Sequence, residues 1–290
     1  MTADLSRYAD WIDFLTTLPT HVPSLQVVVV NGSAVTGGWD DHSDLDVDVW
    51  CRGPVQTSYD AVLALARQTF AIDHVWELPM AADAIERHCF IHLQPDAADL
   101  ARPTRLLDIH FLETPERLTV DVRRHGVPLV LHDPEGVLLL EDDDEEDMAA
   151  ERRRTLENIA SRRQTAAWLV ERAVARGDLA EAAVFHLRLA VEPLVALLRI
   201  RHCPARHDFG LRYLRTDLPD GMAQQVEALL AGPAGPIDPP MSSPQEVLAD
   251  RARAAFAWQD EVLSQLGEGR SAERHLTNCG VSGGFHHSPL

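Results

Sequence analysis

Three aspartates stand at alternate positions in the sequence, as Asp44, Asp46 and Asp48. The residues between them are apolar, which is the period-two pattern of a β-strand. Alternate residues of a strand share one face, so we expect the three carboxylates to point the same way. Carboxylates placed so close together repel one another unless a cation lies between them. Their oxygen atoms suit Mg²⁺, which usually keeps water and a substrate phosphate among its ligands.

A second chemical feature precedes Asp44 by ten residues. The segment Leu25–Asn31 is short, apolar and rich in valine, as is typical of a buried strand, and Gly32 and Ser33 follow it directly. A glycine lets the backbone approach a ligand closely. Backbone N–H groups and a serine hydroxyl at the start of a helix are suited to a phosphate group. The two features together predict a site for a metal-bound nucleotide.

The elements that position these residues fall into two groups. Up to residue 140, apolar segments with strand and helix periodicity are mixed, which predicts an N-terminal domain with a mixed sheet. Over residues 141–268, apolar residues recur at three- and four-residue spacing, which predicts an all-α helical bundle. The fold class is therefore α+β. Residues 269–290 are polar and rich in glycine, serine and histidine, and a disordered tail is expected there.

Single elements are predicted from the same periodicities and from glycine and proline at their ends. The expected strands cover residues 25–31, 45–50, 73–78, 88–93 and 105–113, with a closing element near 126–136. The expected helices cover residues 7–18, 57–70, 148–176, 179–201, 221–231 and 244–266.

The composition disfavours some classes of partner. The chain has 45 acidic and 26 basic residues and a formal charge of −19. Nucleic acid is disfavoured, because binding a duplex depends on cationic side chains at the phosphates, whereas cationic ligands are attracted. No apolar stretch reaches the roughly 18 residues of a membrane span, and the first residues lack the signal-peptide pattern. We expect a cytoplasmic protein that binds neither nucleic acid nor membrane.

The stretch over residues 27–50 resembles the nucleotidyltransferase superfamily that includes DNA polymerase β and kanamycin nucleotidyltransferase. The motif of that family is a strand, then Gly-Ser or Gly-Gly, then Asp-x-Asp or Asp-x-Glu on the next strand. In this chain the motif reads Gly32-Ser33, ten further residues, and Asp44-Leu45-Asp46. A looser resemblance, of a catalytic α/β domain followed by a helical bundle, covers most of the chain.

The resemblance implies an enzyme whose catalytic domain covers residues 1–140. It would move a nucleoside monophosphate from an NTP, with ATP expected, to an acceptor hydroxyl. Asp44 and Asp46 would hold Mg²⁺, and Gly32 and Ser33 would seat the triphosphate. The third carboxylate of the family, a catalytic and metal-binding residue on a later strand, would be Asp108. A structural salt bridge is the alternative for Asp108, because a carboxylate between buried apolar residues needs a partner.

Several assignments stay open at this stage. The general base is Asp108 or Glu192, the latter beside Pro193 where a helix kink would expose it. The arginine-rich segment 199–219 suits either nucleotide phosphates or a structural network. The acceptor implied by the resemblance is a small hydroxylated molecule such as an aminoglycoside or lincosamide, with a role in antibiotic resistance. The alternatives are an antitoxin-like enzyme that transfers AMP to a partner protein and a catalytically silent nucleotide-binding module. The sequence also leaves a homodimer open.

Overall fold

A computed structural model describes residues 4–40, 42–80, 85–93, 106–231 and 243–279. The chain divides into two compact units between Asp143 and Asp144, close to the boundary predicted at residue 140. The first unit contains a mixed sheet and the second is helical, so the α+β class is confirmed.

The first unit is built on a six-stranded sheet in the order β3-β4-β5-β2-β1-β7, beside a two-stranded sheet of β6 and β8. In the large sheet only β2 and β5 pair in parallel, and the other neighbours are antiparallel. This parallel pair lies in the middle of the sheet. Because the two strands run side by side in the same direction, their N-terminal ends lie together at one end of the sheet. The strands are β1 (Leu25–Val30), β2 (Leu45–Cys51), β3 (Ile72–Glu77), β4 (Glu86–Leu93), β5 (Leu106–Glu113), β6 (Leu118–Asp121), β7 (Leu129–His132) and β8 (Leu138–Glu141).

One face of the large sheet forms the core of this unit. Its alternate apolar side chains pack in a single buried cluster with Trp11 and Leu15 of the first helix and Val62 of the third. Burial of such side chains contributes about 1.5–3 kcal/mol each, which holds the strands in register. The opposite face carries the acidic residues of β2 and β5 and, beside them, a second buried cluster of Val27, Val29, Trp50 and Leu118. The helices of this unit are α1 (Ala9–Thr17), α2 (Ser33–Thr36), α3 (Val55–Thr69) and α4 (Val122–His125).

The second unit is a set of helices with its own buried apolar cluster. A π-helical turn at His186–Val191 precedes Pro193, which lacks the N–H group that would bond to the Leu189 carbonyl. The buried amide of Gln259 donates to the carbonyls of Leu189 (3.3 Å) and Ala190 (2.6 Å) instead. The helices are α5 (Glu145–Arg176), α6 (Leu179–Phe185), α7 (Glu192–His202), α8 (Leu214–Asp217), α9 (Met222–Ala231) and α10 (Pro244–Cys279).

The structure differs from the sequence-based expectation in three short elements and in the end of the last helix. The strands β6 and β8 and the helix α4 were not predicted, because four-residue elements are too short to show a period. The last helix continues to Cys279, where the sequence predicted a disordered tail from residue 269. A lone glycine costs a helix only about 1 kcal/mol, so Gly267 and Gly269 do not end it. Residues 280–290 of that predicted tail lie outside the described residues.

None of the helices that the structure describes combines the length and the apolar character needed to cross a lipid bilayer.

Candidate metal centre

Three carboxylates come together at the end of the sheet where β2 and β5 begin, those of Asp44, Asp46 and Asp108. Asp46 and Asp108 are register partners on these parallel strands, and Asp44 immediately precedes β2. One carboxylate oxygen from each of the three residues lies within 4.8 Å of the other two. All three residues are half-buried. Three converging carboxylate oxygens of this kind fit a hard divalent cation such as Mg²⁺.

The hydroxyl of Tyr8 ties together the two segments that carry these carboxylates. It lies 3.3 Å from the carbonyl oxygen of Ser43 and 3.2 Å from that of Leu106, just ahead of β2 and at the start of β5. Tyr8 itself is fully buried in the core, and its ring packs edge-on against Trp39. A buried phenol with one polar end can hold two backbones at a set separation. Tyr8 therefore fixes the distance between the Asp44 and Asp108 segments.

Gly32 lets the backbone after β1 pass directly against Asp46. Its φ angle of 63° and ψ angle of −142° belong to a conformation that is open to glycine. A β-carbon added to Gly32 would lie 1.7 Å from Oδ2 of Asp46. The N–H group of Asn31 donates to the backbone carbonyl of Asp46 over 2.9 Å, which holds the turn in place. The glycine predicted from sequence thus makes room for the Asp46 carboxylate of the candidate metal centre.

The Ser33 hydroxyl is shielded from solvent at the first residue of α2. Its Oγ atom has no hydrogen-bond partner among the residues that the structure describes. A buried hydroxyl without a partner costs about 1–3 kcal/mol, so such a group is expected to receive a ligand. A phosphate oxygen near the metal centre would supply the missing acceptor.

The carboxylates of this face are costly to ionise without a cation. Burial raises the pKa of Asp44 above its ordinary value, and the nearby charge of Asp108 raises it further. Burial also raises the pKa of Asp48, against the opposing effects of His110 and of the hydrogen bond from Asn31. A bound divalent cation would compensate this charge, because an opposite charge favours the ionised form.

Two histidines on the same face of the sheet contact these carboxylates. Nε2 of His88 forms a short hydrogen-bonded contact with Oδ1 of Asp108. The His88 ring stacks on that of His110 at a centroid distance of 4.9 Å, and Nε2 of His110 lies 3.1 Å from Oε2 of Glu86. These histidines were not among the residues predicted for the site. The alternation of His88 with buried Cys89 and Ile91 was the signal that would have placed it on the polar face.

Most of the residues predicted for the site lie close together in the first unit. One region contains Gly32, Ser33, Asp44, Asp46 and Asp108, and Asp48 lies next to it and bonds to Asn31. Glu192 is an exposed residue at the start of α7 in the second unit.

The arginine-rich segment contains a structural network within the second unit. Arg199 is fully buried and donates through Nη1 to Oδ2 of Asp217 over 2.7 Å and through Nε to the carbonyl of Gly210 over 2.8 Å. Arg206 donates to the other carboxylate oxygen of Asp217 over 2.9 Å. These pairings match the structural alternative for Arg199 and Arg206.

Comparison with known proteins adds no family assignment. No protein-family model matches the sequence, and a search of curated proteins finds no significant match.

Proposed function

We propose that this protein is a Mg²⁺-dependent nucleotidyltransferase that moves a nucleoside monophosphate from an NTP, with ATP expected, to a hydroxyl of a small molecule. The observation that carries the proposal is the convergence of Asp44, Asp46 and Asp108, with one oxygen from each within 4.8 Å of the others. Two observations support a phosphate beside that cluster: the Ser33 hydroxyl has no partner among the described residues, and Gly32 lies close to Asp46.

The reaction requires one bond to form and one to break at the α-phosphorus. The acceptor oxygen attacks, the bond to the bridging oxygen breaks, and pyrophosphate leaves with that electron pair. Bound Mg²⁺ would stabilise charge on the attacking and leaving oxygens. Ser33 would donate a hydrogen bond to a phosphate oxygen. Asp108 would accept the proton of the acceptor hydroxyl.

The chain's own residues would contribute mainly by positioning. Tyr8 holds the two carboxylate segments together, and His88 restrains the side chain of Asp108. Well-oriented groups lower a barrier because little freedom is lost at the moment of reaction. The acceptor class we favour is a small hydroxylated molecule such as an aminoglycoside or lincosamide, and the strongly acidic composition suits a cationic one.

The test is mass spectrometry of an acceptor panel incubated with each NTP and Mg²⁺. The panel contains aminoglycosides, lincosamides and a cell extract. Asp46→Asn removes a metal-binding charge and should lower the transfer rate about a thousandfold, since metal ligation contributes several kcal/mol at the transition state. Asp73→Asn is the matched control, because Asp73 is an exposed carboxylate on the edge strand β3.

The outcomes separate the candidate functions. A product heavier by one nucleoside monophosphate with the wild type and Asp73→Asn, but not with Asp46→Asn, supports the proposal. A nucleotidylated protein in the extract instead would identify a protein-modifying enzyme. Tight binding of Mg²⁺ and ATP without any transfer would indicate a binding module. Failure to bind a divalent cation or any NTP would show that the proposal is wrong.

A further inference from the structure

A row of side chains extends from the carboxylate cluster across the same face of the sheet. Asp46 of β2 is in register with Asp108 of β5, Asp108 with Phe90 of β4, and Phe90 with Trp76 of β3. Register partners on neighbouring strands point to the same face. The row therefore begins at the candidate metal centre and ends on an aromatic residue of the edge strand.

The outer part of this row, together with His88 two residues before Phe90 on β4, is an aromatic surface, which we call the aromatic strip and define as Trp76, Phe90 and His88. The rings of Trp76 and Phe90 are stacked, with centroids 5.2 Å apart and an interplanar angle of 18°. The rings of Phe90 and His88 are stacked in turn at 5.3 Å. Trp76 is 53% exposed. An exposed, pre-stacked aromatic surface next to a polar centre is suited to binding a ring of a ligand.

The strip lies on the opposite side of the carboxylates from the candidate phosphate turn. In the sheet order β3-β4-β5-β2-β1, Gly32 and Ser33 follow β1, whereas Phe90 and Trp76 lie beyond β5. In an in-line transfer, the attacking and leaving oxygens stand on opposite sides of the phosphorus. If pyrophosphate leaves on the side of Ser33, the acceptor must approach from the side of the strip.

We infer that the aromatic strip is the acceptor subsite, on which a ring of the acceptor lies while its hydroxyl points towards Asp108. This inference rests on the proposed function. Neighbouring strands are about 4.8 Å apart, so the backbone of Trp76 stands about 10 Å from that of Asp108. That distance suits an acceptor of one or two rings, with the reacting hydroxyl at one end.

The charges on this face limit the chemical class of the acceptor. The face carries carboxylates on β2, β4 and β5, including Asp48 and Glu86. Arg87 is the one arginine in strands β2 to β5, and it bonds to Gln56 of α3 on the other face. An anionic acceptor would therefore meet no arginine or lysine on this face of these strands. The subsite suits an alcohol with a ring that is neutral or cationic, since aromatic faces also attract cations.

The test compares three variants in binding and in transfer. Trp76→Ala removes the outer ring of the strip, and Trp76→Phe keeps an aromatic ring at that place. Trp168→Ala is the matched control, because Trp168 is 54% exposed in the second unit. Binding of kanamycin, lincomycin and the ring-free polyol sorbitol is measured by saturation-transfer NMR without NTP. Mn²⁺ and ATP affinities, and KM and kcat for any acceptor that is modified, are measured for each variant.

The inference predicts a selective loss. Trp76→Ala should weaken binding of the ring-containing alcohol and raise its KM about tenfold, the effect of losing a stacking contact and its buried area. Its kcat and its Mn²⁺ and ATP affinities should stay near those of the wild type. Trp76→Phe should recover most of the affinity, and Trp168→Ala should behave as the wild type. Sorbitol should not bind measurably to the wild type or to any variant.

Several results would overturn the inference while leaving the proposed function intact. One is an acceptor that is modified with an unchanged KM in Trp76→Ala. Another is a loss of ATP affinity in that variant, which would place the nucleotide base on the strip. A third is a protein that binds Mn²⁺ and ATP but none of the ring-containing alcohols. Conversely, ring binding that depends on Trp76 in a protein without transfer would support the subsite and contradict the proposed function.

Discussion

Oδ2 of Asp46 occupies the space that a side chain on Gly32 would fill, since a β-carbon there would lie 1.7 Å from it. Gly32 and Asp46 are 14 residues apart in the sequence, and the antiparallel pairing of β1 with β2 brings them into contact. The glycine of the motif is thus a requirement of the carboxylate as well as of the turn.

Gly32→Ala should abolish metal binding at the candidate centre. The added methyl group would displace Asp46, and the positive φ of residue 32 adds about 1 kcal/mol of strain. Gly37→Ala is the matched control, because Gly37 also has a positive φ, of 85°, but no atom of the described residues lies within 4 Å of the added β-carbon. Calorimetric titration with Mn²⁺ should show binding to Gly37→Ala and none to Gly32→Ala. Equal affinities of the two variants would contradict the steric explanation.

Ser33→Ala should weaken nucleotide binding without lowering the stability of the fold. The Oγ atom of Ser33 has no partner among the described residues, so folding loses no hydrogen bond when it is removed. A hydrogen bond to a charged phosphate is worth about 1.5–3 kcal/mol, which corresponds to a loss of ATP affinity of about 10- to 100-fold. Mn²⁺ affinity in the absence of ATP is the internal control and should not change. An unaltered ATP affinity would remove Ser33 from the proposed phosphate site.

His88→Leu should weaken metal binding although His88 is not placed among the metal ligands. His88 bonds to Asp108, and loss of a partner that orients a metal-binding carboxylate typically lowers affinity about 10- to 100-fold. His88→Gln keeps an N–H donor and should retain more of the affinity. His74→Leu, which removes an exposed histidine on β3, serves as the control. Electron paramagnetic resonance measures the Mn²⁺ affinity of all three variants. Equal affinities would show that His88 does not position Asp108.

Asp217→Ala should destabilise the second unit far more than Glu227→Ala. Asp217 pairs with the fully buried Arg199, and removing one partner of a buried pair costs about 3–5 kcal/mol. Glu227 pairs with Arg215 at the surface, where an ion pair contributes less than about 1 kcal/mol. Urea denaturation followed by circular dichroism compares the free energies of unfolding. Similar losses in the two variants would show that the buried network is not a stabilising feature.

Much of the candidate site is local in the sequence and was predictable from it. The apolar run before Gly32 and the alternation through Asp44, Asp46 and Asp48 identified two strands and the face that carries the acids. These patterns are readable because the side-chain period of a strand is a property of the backbone alone. Asp108 was predicted from its apolar neighbours and from the resemblance, and the structure places it in register with Asp46.

Other features depend on contacts between distant segments. The histidine beside Asp108 and the row through Phe90 to Trp76 follow from the pairing of β5 with β4 and of β4 with β3. No local pattern states which strand will be the neighbour, because many pairings bury similar apolar area. The extension of α10 to Cys279 was missed for a different reason, since composition there outweighed weak helix propensity.

The sequence by itself determined the two kinds of unit, the positions of most strands and long helices, and the types of residue at the candidate site. Those properties follow from backbone periods and from the conformations open to glycine and proline. Only the tertiary structure decided that Asp108 meets Asp46, that His88 contacts Asp108, and that Trp76 continues the same row. Parallel pairing of β2 with β5 requires a long connection, so these contacts depend on the packing of the whole sheet on its core.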